Sequence, residues 1–141
     1  MNSDEINHLC DIVRETSFAI HKYHRHGHLE KIYENALAHR LRKQGLQVDQ
    51  QFPLQVFDED GFPLGDYFAD LFVERKLIVE LKAVRAIADE HVAQILGYLR
   101  FSKTETGLLI NFGAPKLFVK KYLMTEEPAP RSFLKSLLAM F

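Results

Sequence analysis

The chain has 141 residues, 47% of them hydrophobic and 26% charged, with a formal net charge of −1. This is enough apolar material for one domain core but short for two, so we expect residues 1–141 to form a single domain. The near-neutral charge argues mildly against a protein that coats nucleic acid, and the absence of a signal-peptide pattern or a membrane-length apolar stretch predicts a cytoplasmic protein with no membrane partner.

The first half of the chain shows helical periodicity followed by a strand pattern. The predicted elements are a helix from Ser3 to near Gly27, a helix from Leu29 to Gly45, a strand over residues 46–57 and a turn over residues 58–61. Glu30 lies in the first turn of the second helix. A carboxylate there also complements the helix dipole, which is sufficient reason for an acid at that position.

The second half begins with a short hairpin. The predicted elements are strands over residues 68–73 and 77–84, a helix over residues 87–101, strands over residues 107–112 and 116–122, and a short closing helix over residues 132–141. The resulting order ααβββαββ, with that C-terminal helix, predicts an α/β (α+β) fold with a mixed sheet flanked by helices.

The central hairpin carries three ionisable side chains at suggestive positions. Folding about Arg75 sets Asp70 opposite Glu80, and strand alternation puts Glu80 and Lys82 on the same face. Two carboxylates across a ladder repel each other and resist burial, a conflict that a divalent cation resolves by binding both. The alternative is a solvated hairpin with one cross-strand contact between Glu and Lys, and the hairpin by itself does not decide between the two.

The third predicted helix carries polar groups on one face. His91, Gln94 and Tyr98 fall at i, i+3 and i+7, together with apolar Ile95. Each also has an ordinary interpretation: Gln94 as a solvated helix residue, and Tyr98 as a core aromatic with its hydroxyl at the rim.

Five separate segments of the chain resemble one family in the same order. They are Gly27 to Tyr33 (GHLEKIY), Tyr67 to Leu71 (YFADL), Ile78 to Ala83 (IVELKA), His91 to Leu99 (HVAQILGYL) and Gly107 to Gly113 (GLLINFG). The first matches the GxxExxY signature that names a family of small bacterial proteins, placed in the PD-(D/E)XK nuclease superfamily. The resemblance covers about residues 15 to 122 and implies a restriction-endonuclease-like fold.

The resemblance assigns roles to individual residues. Asp70 and Glu80 correspond to the metal-binding acids, Lys82 to the lysine and Glu30 to the helix carboxylate that often completes the site. The pair Gln94 and Tyr98 resembles the QxxxY element that helps to place a nucleic-acid strand. Two departures are the residue before the first acid, alanine in place of the proline of the superfamily's name, and the HGH sequence at residues 26–28, where the family often has Gly-Pro-Gly.

The resemblance implies a metal-dependent nuclease that hydrolyses phosphodiester bonds. Mg²⁺ (or Mn²⁺) would be held by Asp70, Glu80 and Glu30, with the Leu81 carbonyl, and Lys82 would orient the attacking water or offset charge on the phosphorus. Nucleic acid is the implied partner, with DNA favoured, and Arg85, Arg100, Lys103 and Lys116 are candidate phosphate contacts. So small a domain has little surface for reading sequence, and a homodimer is one arrangement that would supply more.

Two other interpretations remain open at this point. The first is a non-catalytic metal- or nucleic-acid-binding module on a nuclease fold, because a fold does not guarantee an activity. The second takes His21, His24, His26 and His28 as zinc ligands. The spacing of these histidines favours surface positions instead, since no cysteine or carboxylate completes a closed zinc set.

Overall fold

The structure is a computed structural model that describes residues 3–124. Its elements are α1 (Ser3–His24), α2 (Glu30–Lys43), β1 (Val48–Phe57), β2 (Pro63–Val73), β3 (Leu77–Lys82), α3 (Asp89–Ser102), β4 (Thr106–Asn111) and β5 (Phe118–Leu123). The predicted order ααβββαββ and the α+β class are confirmed. The predicted closing helix over residues 132–141 lies outside the described residues.

The five strands form one mixed sheet in the order β1-β2-β3-β4-β5. All neighbours are antiparallel except β3 and β4, which run parallel because α3 connects them across the sheet. One core lies between the sheet and α1 with α2, and a second, smaller core lies between the sheet and α3. No helix in the described part of the chain is long and apolar enough to cross a membrane.

The second helix ends next to Gly45, as the sequence predicted. Gly45 has φ +87°, a conformation that glycine adopts without a side-chain clash. The Gly45 N–H donates to the Arg42 carbonyl and the Leu46 N–H to the Leu41 carbonyl, which is the Schellman arrangement. The chain therefore leaves α2 at a fixed angle and enters β1 directly.

Several strand boundaries differ from the sequence prediction by one or two residues, and the start of β2 differs by five. β2 begins at Pro63, five residues before the predicted start, because the hairpin with β1 continues out to the pair Phe57 and Pro63. β3 ends at Lys82 rather than Val84. The Asn111 side chain accepts from the Val84 N–H and donates to the Val84 carbonyl, both at 3.0 Å, so the backbone at Val84 bonds to a side chain and leaves the ladder.

The two faces of the β1–β2 hairpin exchange sides partway along its strands, so that residues of the same parity pack in different cores. On β2, Leu71 packs in the α1/α2 core whereas Ala69 packs in the α3 core, although both are odd-numbered and would share a face on a regular strand. On β1, Val48 and Leu54 differ in the same way. The change occurs near Gln51, whose φ is +51°. The outer half of the hairpin thereby packs over α3.

Candidate active site

Asp70 and Glu80 lie side by side where β2 and β3 separate. The backbone ladder between these strands ends at Leu71 and Val79, one pair before the predicted pairing of the two acids. Beyond it the carboxylates take over the backbone donors: the Asp70 N–H donates to Glu80 Oε1 at 2.9 Å, and the Leu81 N–H donates to Asp70 Oδ2 at 2.8 Å. The two acids are thus adjacent through side-chain bonds, which the predicted ladder did not anticipate.

Both carboxylates are buried. Glu80 is 3% exposed and Asp70 is 8% exposed. Burial raises the pKa of Glu80 well above its usual range, and the charge of Asp70 adds to the rise. Burial also raises the pKa of Asp70, while its hydrogen bonds from Leu81 and Gln51 act in the opposite direction. A positive charge beside the pair would lower both pKa values, as Lys82 already does in part.

Lys82 reaches this site from the end of β3 and is held in place by α3. Its Nζ donates to Gln94 Oε1 at 2.6 Å, and Gln94 Nε2 donates to the Tyr98 hydroxyl oxygen at 2.8 Å. Burial, then the nearby Glu80 charge, raises the pKa of Tyr98, so its hydroxyl stays neutral. The hydroxyl fixes which way the Gln94 amide points, and the amide in turn fixes the ammonium group.

His91, on the same face of α3, has a local structural contact. Its Nδ1 accepts from the Ala88 N–H at 3.0 Å, which satisfies a free donor at the start of the helix. Burial, then the charge of Lys82, lowers the pKa of His91. The His91 ring therefore stabilises the N-terminus of α3, within electrostatic range of Lys82.

Glu30 is the first residue of α2 and is largely exposed. Burial of part of its side chain raises its pKa, and the next contribution comes from the charge of Asp70. The charge of Lys82 lowers the pKa of Glu30, whereas the charge of Glu34 raises it further. Glu30 is therefore within electrostatic range of the buried pair, although among residues 3–124 no three His, Cys, Asp or Glu side chains are grouped closely enough to hold a metal by themselves.

Two residues near Asp70 were missed at the sequence level. Glu34, one helical turn after Glu30, is only 2% exposed and accepts from Gln51 Nε2 at 2.6 Å. The same Gln51 amide donates to Asp70 Oδ1 at 3.1 Å. The spacing of four from Glu30 beside the apolar stripe of α2 was a usable signal for Glu34. No signal marked Gln51, because glutamine is not a typical residue at positive φ.

The donor set suits a hard divalent cation. Asp70 and Glu80 offer carboxylate oxygens with lone pairs to spare, and Leu81, whose carbonyl is a further oxygen donor, follows Glu80 in sequence and donates its N–H to Asp70. Mg²⁺ binds to one or two carboxylates and completes its shell with water and phosphate oxygens, so two acids are a sufficient protein contribution. The predicted third carboxylate, Glu30, does not close a cage with them.

The N-terminal histidines are spread over the end of α1 and the following bend. His21 Nε2 lies 2.9 Å from the Ala114 carbonyl oxygen, and His28 Nε2 lies 2.9 Å from the His24 carbonyl oxygen. His26 is exposed. Two of the four rings thus bond to backbone.

Comparison with known proteins gives a family and a fold. A family model described as the PD-(D/E)XK nuclease superfamily matches residues 7–122. None of the curated proteins compared with the chain matches it. The crystal structure of SSO0001 resembles it with a TM-score of 0.57 and 15% identity, over 78% of this chain and 57% of that one. The chain thus spans little more than half of the length of that structure, and the likeness shows the fold alone.

Proposed function

Because the chain belongs to the PD-(D/E)XK nuclease superfamily, as its sequence predicted, we propose that it is a metal-dependent nuclease that hydrolyses phosphodiester bonds in nucleic acid, with DNA as the favoured substrate. Members of this superfamily generally use divalent metals. The narrower resemblance to the GxxExxY proteins stays a prediction.

One observation carries the proposal. Asp70 and Glu80 are buried against each other at the point where two strands separate, with the Lys82 ammonium group supplied by the next residue on the same face as Glu80. Burying two neighbouring acids destabilises a fold unless the acids have a function or a bound cation. A cation would reach them where β2 and β3 separate.

Asp70, Glu80 and the Leu81 carbonyl would hold Mg²⁺ or Mn²⁺, with Glu30 reaching it through water, and the cation would polarise a phosphate oxygen and lower the pKa of a bound water. The protein groups do the rest. They hold the two carboxylates in a fixed orientation, through the bonds that Asp70 receives from Leu81 and Gln51 and the bond that Glu80 receives from the Asp70 N–H.

Lys82 is the proposed catalytic cation of the chain itself. Its ammonium group has three donor hydrogens, of which one is given to Gln94. The remaining two would orient the attacking water or stabilise charge that develops on the phosphate oxygens. Gln94 and Tyr98 act through Lys82, because their bonds fix the direction in which it points.

The approach of nucleic acid needs positive charge that the acids do not provide. Arg85 is exposed three residues after Lys82, and Arg100 and Lys116 are also exposed. These side chains are candidate phosphate contacts, and a homodimer would double their number. Because each contact with a phosphate releases counterions, binding through them would weaken steeply with salt.

Isothermal titration of Mg²⁺ and Mn²⁺ tests the proposal, with the wild type compared to an Asp70→Ala/Glu80→Ala double variant. The same samples are incubated with labelled single- and double-stranded DNA and with RNA. Metal binding and cleavage that are both lost in the double variant support a nuclease with this site. Metal binding without cleavage of any substrate favours a non-catalytic metal-binding module on the same fold, and absence of metal binding to the wild type contradicts both the nuclease and the metal-binding module.

A further inference from the structure

A fourth acid is connected to the site by a single amide. Gln51 Nε2 lies 2.6 Å from Glu34 Oε1 and 3.1 Å from Asp70 Oδ1, so one NH₂ group donates to carboxylates on two different elements. Glu34 belongs to α2 and Asp70 to β2, whereas Gln51 belongs to β1. The amide therefore couples the helix to the site across the face of the sheet.

Both carboxylate oxygens of Glu34 are already hydrogen-bonded within the protein. Its Oε2 accepts from Lys31 Nζ and from Gln50 Nε2, both at 2.7 Å, and its Oε1 accepts from Gln51. Three donors around a buried carboxylate fix its orientation and neutralise much of its charge. A group engaged in this way supports other residues, unlike Glu30, which is exposed at the start of the same helix.

The backbone of Gln51 is shaped for this contact. Its φ of +51° is rare for a residue with a side chain, and it coincides with a gap in the β1–β2 ladder, where Gln50 pairs with Leu71 and Phe52 pairs with Ala69. Gln51 and Asp70 fall opposite each other in that gap. Backbone strain that persists at one position opposite an acid indicates that the surrounding contacts determine it.

We propose that Glu34 and Gln51 are positioning residues for Asp70: Glu34 holds the Gln51 amide, and the amide fixes the Asp70 carboxylate for a divalent cation. The Leu81 N–H already binds Asp70 Oδ2. With Gln51 on Oδ1, each oxygen carries one donor, the carboxylate cannot rotate about χ2, and one lone pair of each oxygen stays available to the ion. The inference rests on the proposed nuclease function.

The test uses Gln51→Gly, which removes the amide and suits the positive φ, and Glu34→Gln, which keeps the shape of the side chain but loses its charge. Mg²⁺ and Mn²⁺ affinities are measured by isothermal titration on metal-free protein that circular dichroism shows to be folded. Each variant is expected to bind either ion roughly tenfold more weakly than the wild type, the lower end of the effect of removing an outer-shell partner. The double variant is expected to lose no more than the stronger single one, because both act through one amide.

Gln55→Gly is the matched control, an exposed glutamine four residues further along the same strand. It is expected to bind both ions with the wild-type affinity. Wild-type affinity in Gln51→Gly and Glu34→Gln, or losses that add in the double variant, would overturn the inference while leaving the nuclease intact. Failure of the nuclease proposal itself looks different, since the wild type would then cleave no nucleic acid, whether or not it binds metal.

Discussion

The two strands that carry the site are held by different kinds of contact. β3 pairs with β4 at every residue from Leu77 to Lys82, in an unbroken parallel register. β2 pairs with β3 over only three residues, and Asp70 falls in a gap of the ladders with both β1 and β3, where side-chain bonds hold it instead. Glu80 and Lys82 are therefore placed by the backbone of a central strand, while Asp70 is placed by polar side chains. Changes on the two sides should damage different properties of the protein.

The largest effect is expected when the charge of either acid, Asp70 or Glu80, is removed. Asp70→Asn and Glu80→Gln keep the shape but not the charge, and each should lower the cleavage rate by at least ~10³-fold, the upper range for one electrostatic catalytic group. Glu80→Gln should also raise the stability of metal-free protein, because it removes a buried repulsion. Asp70→Asn should not, because its new NH₂ group would face the Leu81 or the Gln51 donor. Cleavage assays and urea unfolding measure the two effects. Asp66→Asn, exposed on the same strand, is the control, and unchanged cleavage in either site variant contradicts the proposed function.

The next prediction breaks the backbone-held side. Asn111 is 2% exposed and its amide bonds to the N–H and carbonyl of Val84 and to the N–H of Gly113. Asn111→Ala leaves those buried groups unpaired and should cost about 2–3 kcal/mol of unfolding free energy. Gly113→Ala should also destabilise, since its Cβ would overlap the Val84 backbone. Urea unfolding compares both variants with Asn7→Ala, which changes an exposed residue of α1. A loss of unfolding free energy equal to that of the control would contradict the role of Asn111 in holding the Val84 backbone.

The backbone-held side was also the more predictable one. The apolar residues from Leu77 to Leu81 gave β3 its position and its two buried faces, and the three-residue turn gave a register that would bring Asp70 and Glu80 level. These features depend on hydrophobic pattern and turn length, which are local properties of a sequence. The order of elements followed from them, whereas the superfamily was predicted from the resemblance of five sequence segments to a known family.

The remaining features depend on contacts between distant residues. Asn111 ends β3 two residues early from a position 27 residues away from Val84. Gln51 takes positive φ although nothing in the neighbouring sequence requires it. Glu34 becomes buried because Gln50 and Gln51 approach it from β1. Local propensity carries no information about such contacts. Gln51 was therefore out of reach of pattern analysis, whereas the spacing of Glu34 from Glu30 was a usable signal.

A pH series sharpens the comparison without changing the fold. Because the pKa of Glu80 is raised in the folded state, the folded protein keeps a proton that the unfolded chain has lost. Stability of the metal-free wild type should then fall as pH rises above the usual glutamate pKa of about 4.3, by at most ~1.4 kcal/mol per pH unit, and level off above the raised pKa. The stability of the Glu80→Gln variant should fall less over the same pH range. Urea unfolding between pH 4 and 8 with a chelator measures this, and parallel curves for the two proteins would count against it.

The smallest effect is expected at the far end of the polar-held side. Arg75 Nε lies 2.8 Å from Asp49 Oδ2, and its guanidinium lies 4.9 Å from the Phe52 ring centre. The Arg75 side chain is 55% exposed, so water screens the ion pair, and Arg75→Ala should cost only about 0.5–1 kcal/mol. Its metal affinity should equal that of the wild type, because this contact does not touch Asp70. A large change in metal affinity would mean that the whole hairpin supports the site, instead of the few side chains around Gln51.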